Sequence, residues 1–415
     1  MHQANSDFDV IIVGGGAAGI GAARQLAASG LSALLLEANT RLGGRAWTLE
    51  IAGLDLDLGC GWLHSAEKNA WVGIANASGV RLDQSIAAWG TQFRDLGFSA
   101  AERAEAWQAF EAWTLRLADV RNTTDRASDA FDPASPWNNY IRAIVSFISG
   151  CRPENMSAAD YLAYYDASTD SNWRTRAGYG ALIAGSFPAG VALRLATPVQ
   201  SVELAAPGVR VTTPAGKIRA RAVILCVSTS VLAGDTIKLP AEAEPWRTAA
   251  TQLPLGRDEK FFLEIIGEAE LEDETQVLGN PRDPHTASFY IRPLGRPVVE
   301  CYFGGEGARV VENGGPALGF ALALDQLAAL FGEQIRKSLR PLVASCWSRS
   351  IRVGGAYSYA VPGHAQARRA LAQPFEQRVF FAGEATCVDE FSTAHGAHDS
   401  GVRAAREVQA ALNSR

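Results

Sequence analysis

Six residues near the start of the chain, Gly14-Gly15-Gly16-Ala17-Ala18-Gly19, constrain its fold most. They follow an apolar run, Phe8 to Val13, which reads as a buried parallel strand. They open an alanine-rich stretch, Ile20 to Ser29, which reads as a helix ended by Gly30. Leu31 to Leu36 reads as a second buried strand, closed by Glu37. The result is a strand–helix–strand unit in about 30 residues. Gly14, Gly16 and Gly19 supply GxGxxG spacing inside it. The first glycine permits the tight turn, the second lets backbone approach a pyrophosphate, and the third packs helix on strand. The helix N-terminus then stabilises phosphate. Glu37, eighteen residues past Gly19, is placed to accept hydrogen bonds from ribose hydroxyls. The spacing alone is a weak signal; the strand before it and the helix after it make it a dinucleotide fingerprint.

The chain has 415 residues, too many for one ordinary core and enough for two domains. A net charge of −6 speaks against nucleic acid or an anionic membrane as partner. The six cysteines are scattered without CxxC spacing, so neither a zinc site nor a thioredoxin-like motif is expected. No metal site and no disulfide framework are expected, and a reducing, cytoplasmic compartment fits. Met1 to Asp7 lacks the apolar stretch of a signal peptide. No run reaches the ~18 apolar residues of a membrane span.

Further along, Glu67 to about Ile183 reads mostly helical, with apolar residues at helical spacing over Ala100 to Val120. Pro198 to Leu204, Val209 to Thr212 and Ala222 to Val227 change to strand period. Phe261 to Ile266, Ala287 to Ile291 and Val298 to Phe303 read as another sheet, and Ala317 to Phe331 as a helix stopped by Gly332. Val379 to Ala382 reads as a short buried strand ending in Gly383-Glu384, and Gly401 to Leu412 as a closing helix. This order implies a nucleotide domain (1–65, 190–245 and 370–415) interrupted twice by a second domain (66–189 and 246–369).

Arg41-Leu42-Gly43-Gly44-Arg45 follows the second strand directly. Paired glycines bring backbone against a phosphate or ring edge, and an arginine pairs with phosphate. A solvated turn is the plainer alternative. Leu34-Leu35-Leu36-Glu37-Ala38, then RxGGR, Asp57-Leu58-Gly59-Cys60-Gly61-Trp62-Leu63-His64 and Pro198-Val199-Gln200-Ser201-Val202 come in order. Trp347, Gly354-Gly355-Ala356-Tyr357-Ser358-Tyr359, Phe380-Phe381-Ala382-Gly383-Glu384 and Ser392-Thr393-Ala394-His395 complete the set. As an ordered series across the whole chain, they resemble the flavin-containing amine oxidases. Gly-Ala-Tyr-Ser-Tyr, Trp-Leu-His and Thr393 resemble the polyamine oxidase and lysine-specific demethylase branch.

The resemblance implies a Rossmann-like α/β FAD domain, interrupted by an α+β substrate domain with a mixed sheet and helices. It implies non-covalent FAD, because Ala356 stands where monoamine oxidases carry the attaching cysteine. The FAD contacts it implies are Gly14, Gly16, Ala17, Ala18, Gly19, Glu37, Ala38, Arg41, Gly43, Gly44, Arg45, Gly59, Gly61, Trp62, Val199, Trp347, Gly383, Glu384, Thr393 and Ala394. Asn39 departs from the arginine common there and puts the adenine-side contact in question.

Lys260 matches the family lysine that holds a water near flavin N5; an edge-strand lysine is the plain alternative. Tyr357 would present its ring to a substrate amine, or simply pack. His64 would stand at the substrate entrance, or be an ordinary satisfied histidine, and Thr393 would touch substrate. His395 and His398 are assigned no catalytic role, and Asp160, Asp166 and Asp170 read as a solvated face. The implied reaction is oxidation of an amine C–N bond, with O2 or another acceptor taking the electrons. An amino-acid oxidase, a desaturase on the same scaffold, or a non-catalytic flavin-binding protein remain rivals; a pocket arginine would favour the first. A homodimer is left open.

Overall fold

The computed structural model describes residues 6–267 and 270–414. Strands β1 (Phe8–Val13) and β2 (Ala33–Leu36) flank helix α1 (Ala17–Ala27), and a hairpin of β3 (Thr48–Ile51) and β4 (Leu54–Asp57) follows. The next stretch holds α2 (Ala70–Ala77), α3 (Ala100–Val120), α4 (Asn138–Ser149), α5 (Ala158–Ala167) and α6 (Tyr179–Gly185). Then come β5 (Ala192–Arg194), β6 (Ser201–Ala205), β7 (Gly208–Thr213), β8 (Gly216–Leu225), α7 (Thr229–Ala233) and α8 (Glu244–Thr251). Strands β9 (Asp258–Ile265), β10 (Thr275–Leu278), β11 (Ser288–Ile291) and β12 (Val298–Gly304) precede α9 (Gly305–Gly314), α10 (Pro316–Phe331) and β13 (Leu339–Ala344). The chain closes with α11 (Ala367–Leu371), β14 (Val379–Phe381) and α12 (Ala394–Asn413).

One sheet has the order β5-β2-β1-β8-β7-β6, with β14 also on β8. The length of β8 explains this branch. Its first half pairs antiparallel with β7 through Gly216 to Ala220, and its second half pairs parallel with β14 through Val223 to Leu225. β1, β2 and the end of β8 are apolar at almost every position because helices cover both faces. Helices α1 and α12 lie against one face, in a core with Val10, Ile12, Leu35 and Ile224. The opposite face packs Ile11, Leu34, Val223 and Leu225 against α7, α8 and α11.

The second sheet has the order β10-β11-β12-β9-β13. The mixed sheet expected there is corrected: every pairing in it is antiparallel, and mixed pairing belongs to the first sheet. Short connections join β10 to β11 and β11 to β12, and parallel neighbours need a crossover of a dozen or more residues. Alternation sorts its side chains. Phe261, Leu263, Phe289, Cys301 and Phe303 face a core with α9 and α10. Asp258, Lys260, Phe262, Glu300 and Tyr302 line a cavity on the other face.

Three local readings change. The closing helix starts at Ala394, not Gly401, because Thr393 caps it by accepting from the Gly396 N–H. The strand expected from Pro198 begins at Ser201. Asp160 is not on a solvated face: it is 2% exposed and receives both arms of Arg368, at 2.6 and 2.8 Å. α5 carries it inward against the loop before α11.

Candidate active site

The carboxyl ends of β1 and β2 open onto the glycine turn. Gly14 has φ +105°, a conformation costly for any residue with a side chain. A Cβ on Gly19 would fall 1.9 Å from the Gly14 carbonyl oxygen, so α1 sits on the turn only because that position is bare. The second glycine loop docks on the first, with the Gly43 N–H donating to the Gly15 carbonyl at 2.8 Å. Helix α1 has no acidic residue in its first turn and no side-chain cap at Gly16. Gly14, Gly16, Ala17 and Ala18 line the cavity. An N-terminus with no protein counter-charge, facing a cavity, fits a pyrophosphate.

Glu37 is buried, and its carboxylate accepts from the Gly15 N–H at 2.6 Å and from the Asn39 backbone and side chain at 2.7 and 2.8 Å. Three of about four acceptor sites are therefore filled by protein, leaving room for one more donor. Asn39 has taken the role of holding this carboxylate. Arg41 stacks on Trp47 at 4.4 Å and donates to the Gly44 carbonyl at 2.8 Å, bracing the loop. Ala38, Val199, Gly43, Gly44, Gly59, Gly61, Trp62, Gly383 and Ala394 line the same cavity.

Arg45 reaches from that loop to the Ala356 carbonyl and pairs with Glu384 at 2.9 Å. Glu384 is buried, which raises its carboxyl, but Arg45 and Arg368 outweigh this and hold it below the ordinary range. Ser358 bridges Glu384 and Arg368, at 2.6 and 2.9 Å. Arg368 is fully buried on Asp160. This line of ion pairs ties the glycine loop, the Tyr357 loop and α5 together. The sequence reading found its first two members and missed Arg368 and Asp160.

The other wall of the cavity is the second sheet. Lys260 lies on β9 between β12 and β13, so it is no edge-strand lysine. It is 7% exposed; its Nζ pairs with Glu300 at 2.8 Å and donates to the Asp57 carbonyl at 3.1 Å, beside Gly61. Trp347 donates from its indole to the Leu58 carbonyl at 3.1 Å, and its backbone N–H donates to Glu259 at 2.6 Å. Tyr357 donates from its hydroxyl to the Phe147 carbonyl at 2.7 Å.

On another part of the cavity lining, Trp62 meets Trp89 at 4.4 Å and Tyr290 at 5.9 Å, and His64 lies 5.8 Å from Trp89. His64 contacts Asn172 at 2.6 Å, and burial pushes its imidazole down from the ordinary value. Arg174 stacks over Trp62 at 4.5 Å and pairs with Asp83 and Glu274 at 2.7 and 2.8 Å. Trp89, Tyr290, Arg174 and Glu274 were not singled out in the sequence; no motif marks them. Thr393 borders the cavity, with its hydroxyl donating to the Glu390 carbonyl at 2.6 Å and capping α12. His395, beside it, is pushed down to about 4, first by burial and then by His64.

Glu37, Arg45, Glu384, Lys260, Trp347, Tyr357, His64 and Thr393 border one cavity of about 1330 Å³, larger than the few hundred Å³ of a single small ligand. Residues 99–409 match the sequence model described as flavin containing amine oxidoreductase, and residues 12–76 match an NAD(P)-binding Rossmann-like domain. The chain belongs to the flavin-containing amine oxidoreductase family. It is 26% identical to polyamine oxidase 4 of Oryza sativa subsp. japonica, across 98% of this chain and 89% of that protein. It is 25% identical to pseudooxynicotine dehydrogenase of Pseudomonas sp, across 98% and 86%. A putrescine oxidase structure superposes with TM-score 0.76 at 18% identity, across 97% of this chain and 99% of that one.

The protein is thus a flavin-dependent amine oxidoreductase. The family is flavin-containing, and Ala356, at the loop beside Arg45, offers no nucleophile to a flavin. Among the described residues no helix is long and apolar enough to cross a membrane, and no cluster of His, Cys, Asp and Glu is built to hold a metal.

Proposed function

We propose that the chain oxidises the C–N bond of a small amine to an imine, which water then hydrolyses, with O2 as final acceptor. The observation that carries this reading is the single cavity running from the glycine turn to Lys260 and Tyr357. When bound, FAD would supply the two-electron redox chemistry of the C–N oxidation. The residues of this chain do the rest. The first turn of α1, Glu37 and Arg45 hold the dinucleotide. Lys260, fixed by Glu300 and the Asp57 carbonyl, would hold a water for the flavin chemistry. Tyr357, Trp347 and Tyr302 give the amine a largely dry, aromatic surround. His64, with Trp62, Trp89 and Tyr290, lines the approach.

The amino-acid oxidase alternative needs a cation left free for a carboxylate. Arg174, stacked on Trp62, is matched by two carboxylates, while Arg296 and Arg352, which also border the cavity, donate to the Arg176 carbonyl and to the Asn39 side chain, so amino acids are tested beside amines. Anaerobic mixing of the FAD-loaded protein with a panel of amines and amino acids tests the proposal. Bleaching of the flavin absorbance by an amine is expected. Bleaching by amino acids alone, or by nothing in the panel, would overturn it.

A further inference from the structure

Two residues before Lys260, on the same face of β9, Asp258 also borders the cavity. It is 4% exposed, and neither carboxyl oxygen has a well-formed hydrogen bond, although the Tyr302 and Tyr357 hydroxyls lie near enough to favour its ionised form. It packs on the end of α4, where a Cβ on Gly150 would lie 2.4 Å from Oδ2. The Tyr302 and Tyr357 hydroxyls lie beside it, 2.9 Å from each other.

Hydrogen-bond bookkeeping decides which way these groups point. The Phe147 carbonyl can only accept, so the Tyr357 proton goes to it. Tyr302 must then donate to Tyr357. Both hydroxyl protons are spent, and none is left for Asp258. In this arrangement the carboxyl is stable as the neutral acid, able to donate to Tyr302. Burial pushes it well above the ordinary carboxylate range, Glu259 and Glu312 push the same way, and the two hydroxyls offset part of this. The neighbours that bear on its charge are Tyr302 on β12, Tyr357 in the loop before α11, Cys151 after α4, Glu259 on β9 and Glu312 on α9, which Arg257 pairs.

The chain has a second orientation. With Asp258 ionised, Tyr302 donates to it and Tyr357 donates to Tyr302. That frees the Phe147 carbonyl, one of the last four carbonyls of α4. The C-terminal end of a helix carries partial negative charge and favours cations. We propose that Asp258, Tyr302, Tyr357 and the Phe147 carbonyl form a reversible hydrogen-bond chain that binds the ammonium form of the substrate. The cation donates to the Phe147 carbonyl and the Tyr357 oxygen, the chain reverses, and the Asp258 proton leaves to solvent. No electrons move; one cation enters and one proton departs. This deepens the amine reading and rests on it.

The probe is tert-butylammonium, a primary ammonium with no hydrogen on the carbon beside nitrogen, so it binds without being oxidised. tert-Butanol is its neutral shape match. Both are titrated into the FAD-loaded protein and followed by the flavin visible spectrum. Wild type is expected to bind the cation more tightly as pH rises above the ordinary carboxylate range, through the raised titration of the buried Asp258 carboxyl. Binding in weak buffer is expected to release a proton to an indicator dye. Asp258→Asn keeps the shape and cannot ionise. It is expected to bind the cation about tenfold or more weakly at high pH, the usual scale for a lost charged hydrogen bond. Its binding should not vary with pH and should release no proton, while tert-butanol binds both proteins alike. Tyr302→Phe, which cuts the chain midway, is expected to lose the proton release too. Wild-type affinity and proton release in Asp258→Asn, or no cation binding by wild type, would overturn the proposal. If an oxidisable amine bleaches the wild-type flavin all the same, this inference fails and the amine reading stands.

Discussion

The two walls of the cavity are built on opposite plans. The glycine wall works through backbone: bare positions, helix N–H groups and one carboxylate, Glu37, held by three protein donors. The sheet wall works through side chains. Asp258, Glu259 and Lys260 are consecutive and ionisable, all three are buried, and the pleat sends the middle one to the opposite face. Backbone recognition is intolerant of added atoms and indifferent to charge. Side-chain recognition tolerates a change of shape and depends on charge and protonation. Substitutions on the two walls are therefore expected to fail in different ways.

The largest effect is expected on the glycine wall. Gly19→Ala puts a Cβ 1.9 Å from the Gly14 carbonyl oxygen, and both partners are backbone, so nothing small can yield. The variant is expected to purify colourless and to regain no flavin spectrum with added FAD. A yellow Gly19→Ala protein with wild-type FAD affinity would remove the contrast between the walls.

Next comes Lys260→Met, which keeps length and removes charge. The half-reaction that Lys260 serves is expected to slow by roughly 10²–10⁴, the scale of lost proton-transfer assistance. FAD content should stay near the wild-type level, because Lys260 is held by Glu300 and the Asp57 carbonyl, neither of them on the Gly14 to Gly19 turn. Stopped-flow traces of flavin reduction and reoxidation check this. Rates within a few-fold in both directions would make Lys260 structural.

The same contrast explains what was legible in the sequence. Gly14 to Gly19, Gly43-Gly44 and Glu37 could be read because backbone function demands glycine at fixed spacing, and the spacing is local. Lys260 was read through resemblance, yet its partner Glu300 lies forty residues away and is joined only by the pairing of β9 with β12. Asp258 was within reach: in a strand, the residue two before Lys260 shares its face. Asp160 was misread because helical spacing in α5 gives its face but not what covers that face, and Arg368 lies 208 residues on. The lining residues Trp89, Tyr290 and Arg174 come from three separate segments, and no local pattern joins them.

Glu37→Gln probes the one place where the glycine wall uses charge. Glutamine keeps one acceptor for the Gly15 N–H but loses the charge-assisted bonds, each worth about 1.5–3 kcal/mol. FAD affinity is expected to fall by about tenfold or more, measured by titrating the apoprotein. Unchanged affinity would mean that Glu37 serves the turn and Asn39 alone, and that the ribose lies elsewhere.

The smallest effect concerns Glu259, on the face of β9 turned away from the cavity. Its carboxylate receives the Trp347 N–H and the Ser345 hydroxyl, and Glu312 lies beside it. Burial raises its carboxyl above the ordinary value, the Ser345 bond lowers it, and Glu312 raises it further. The sign follows from linkage. Between the ordinary carboxylate value and the raised folded one, the folded state binds a proton that the unfolded state has lost, so stability falls as pH rises through that window. The contribution is complete below the ordinary value and gone above the raised one. Glu259→Gln stays neutral throughout and is expected to flatten that part of a Tm-against-pH curve, while keeping an acceptor for Trp347. Flavin reduction by an amine should change little, because the substituted side chain would still face away from the cavity. An unchanged slope of Tm with pH would show that Glu259 does not carry that part of the curve. A large loss of flavin reduction would show that Trp347 transmits the state of this carboxyl to the cavity, and the two faces of β9 would then act as one unit.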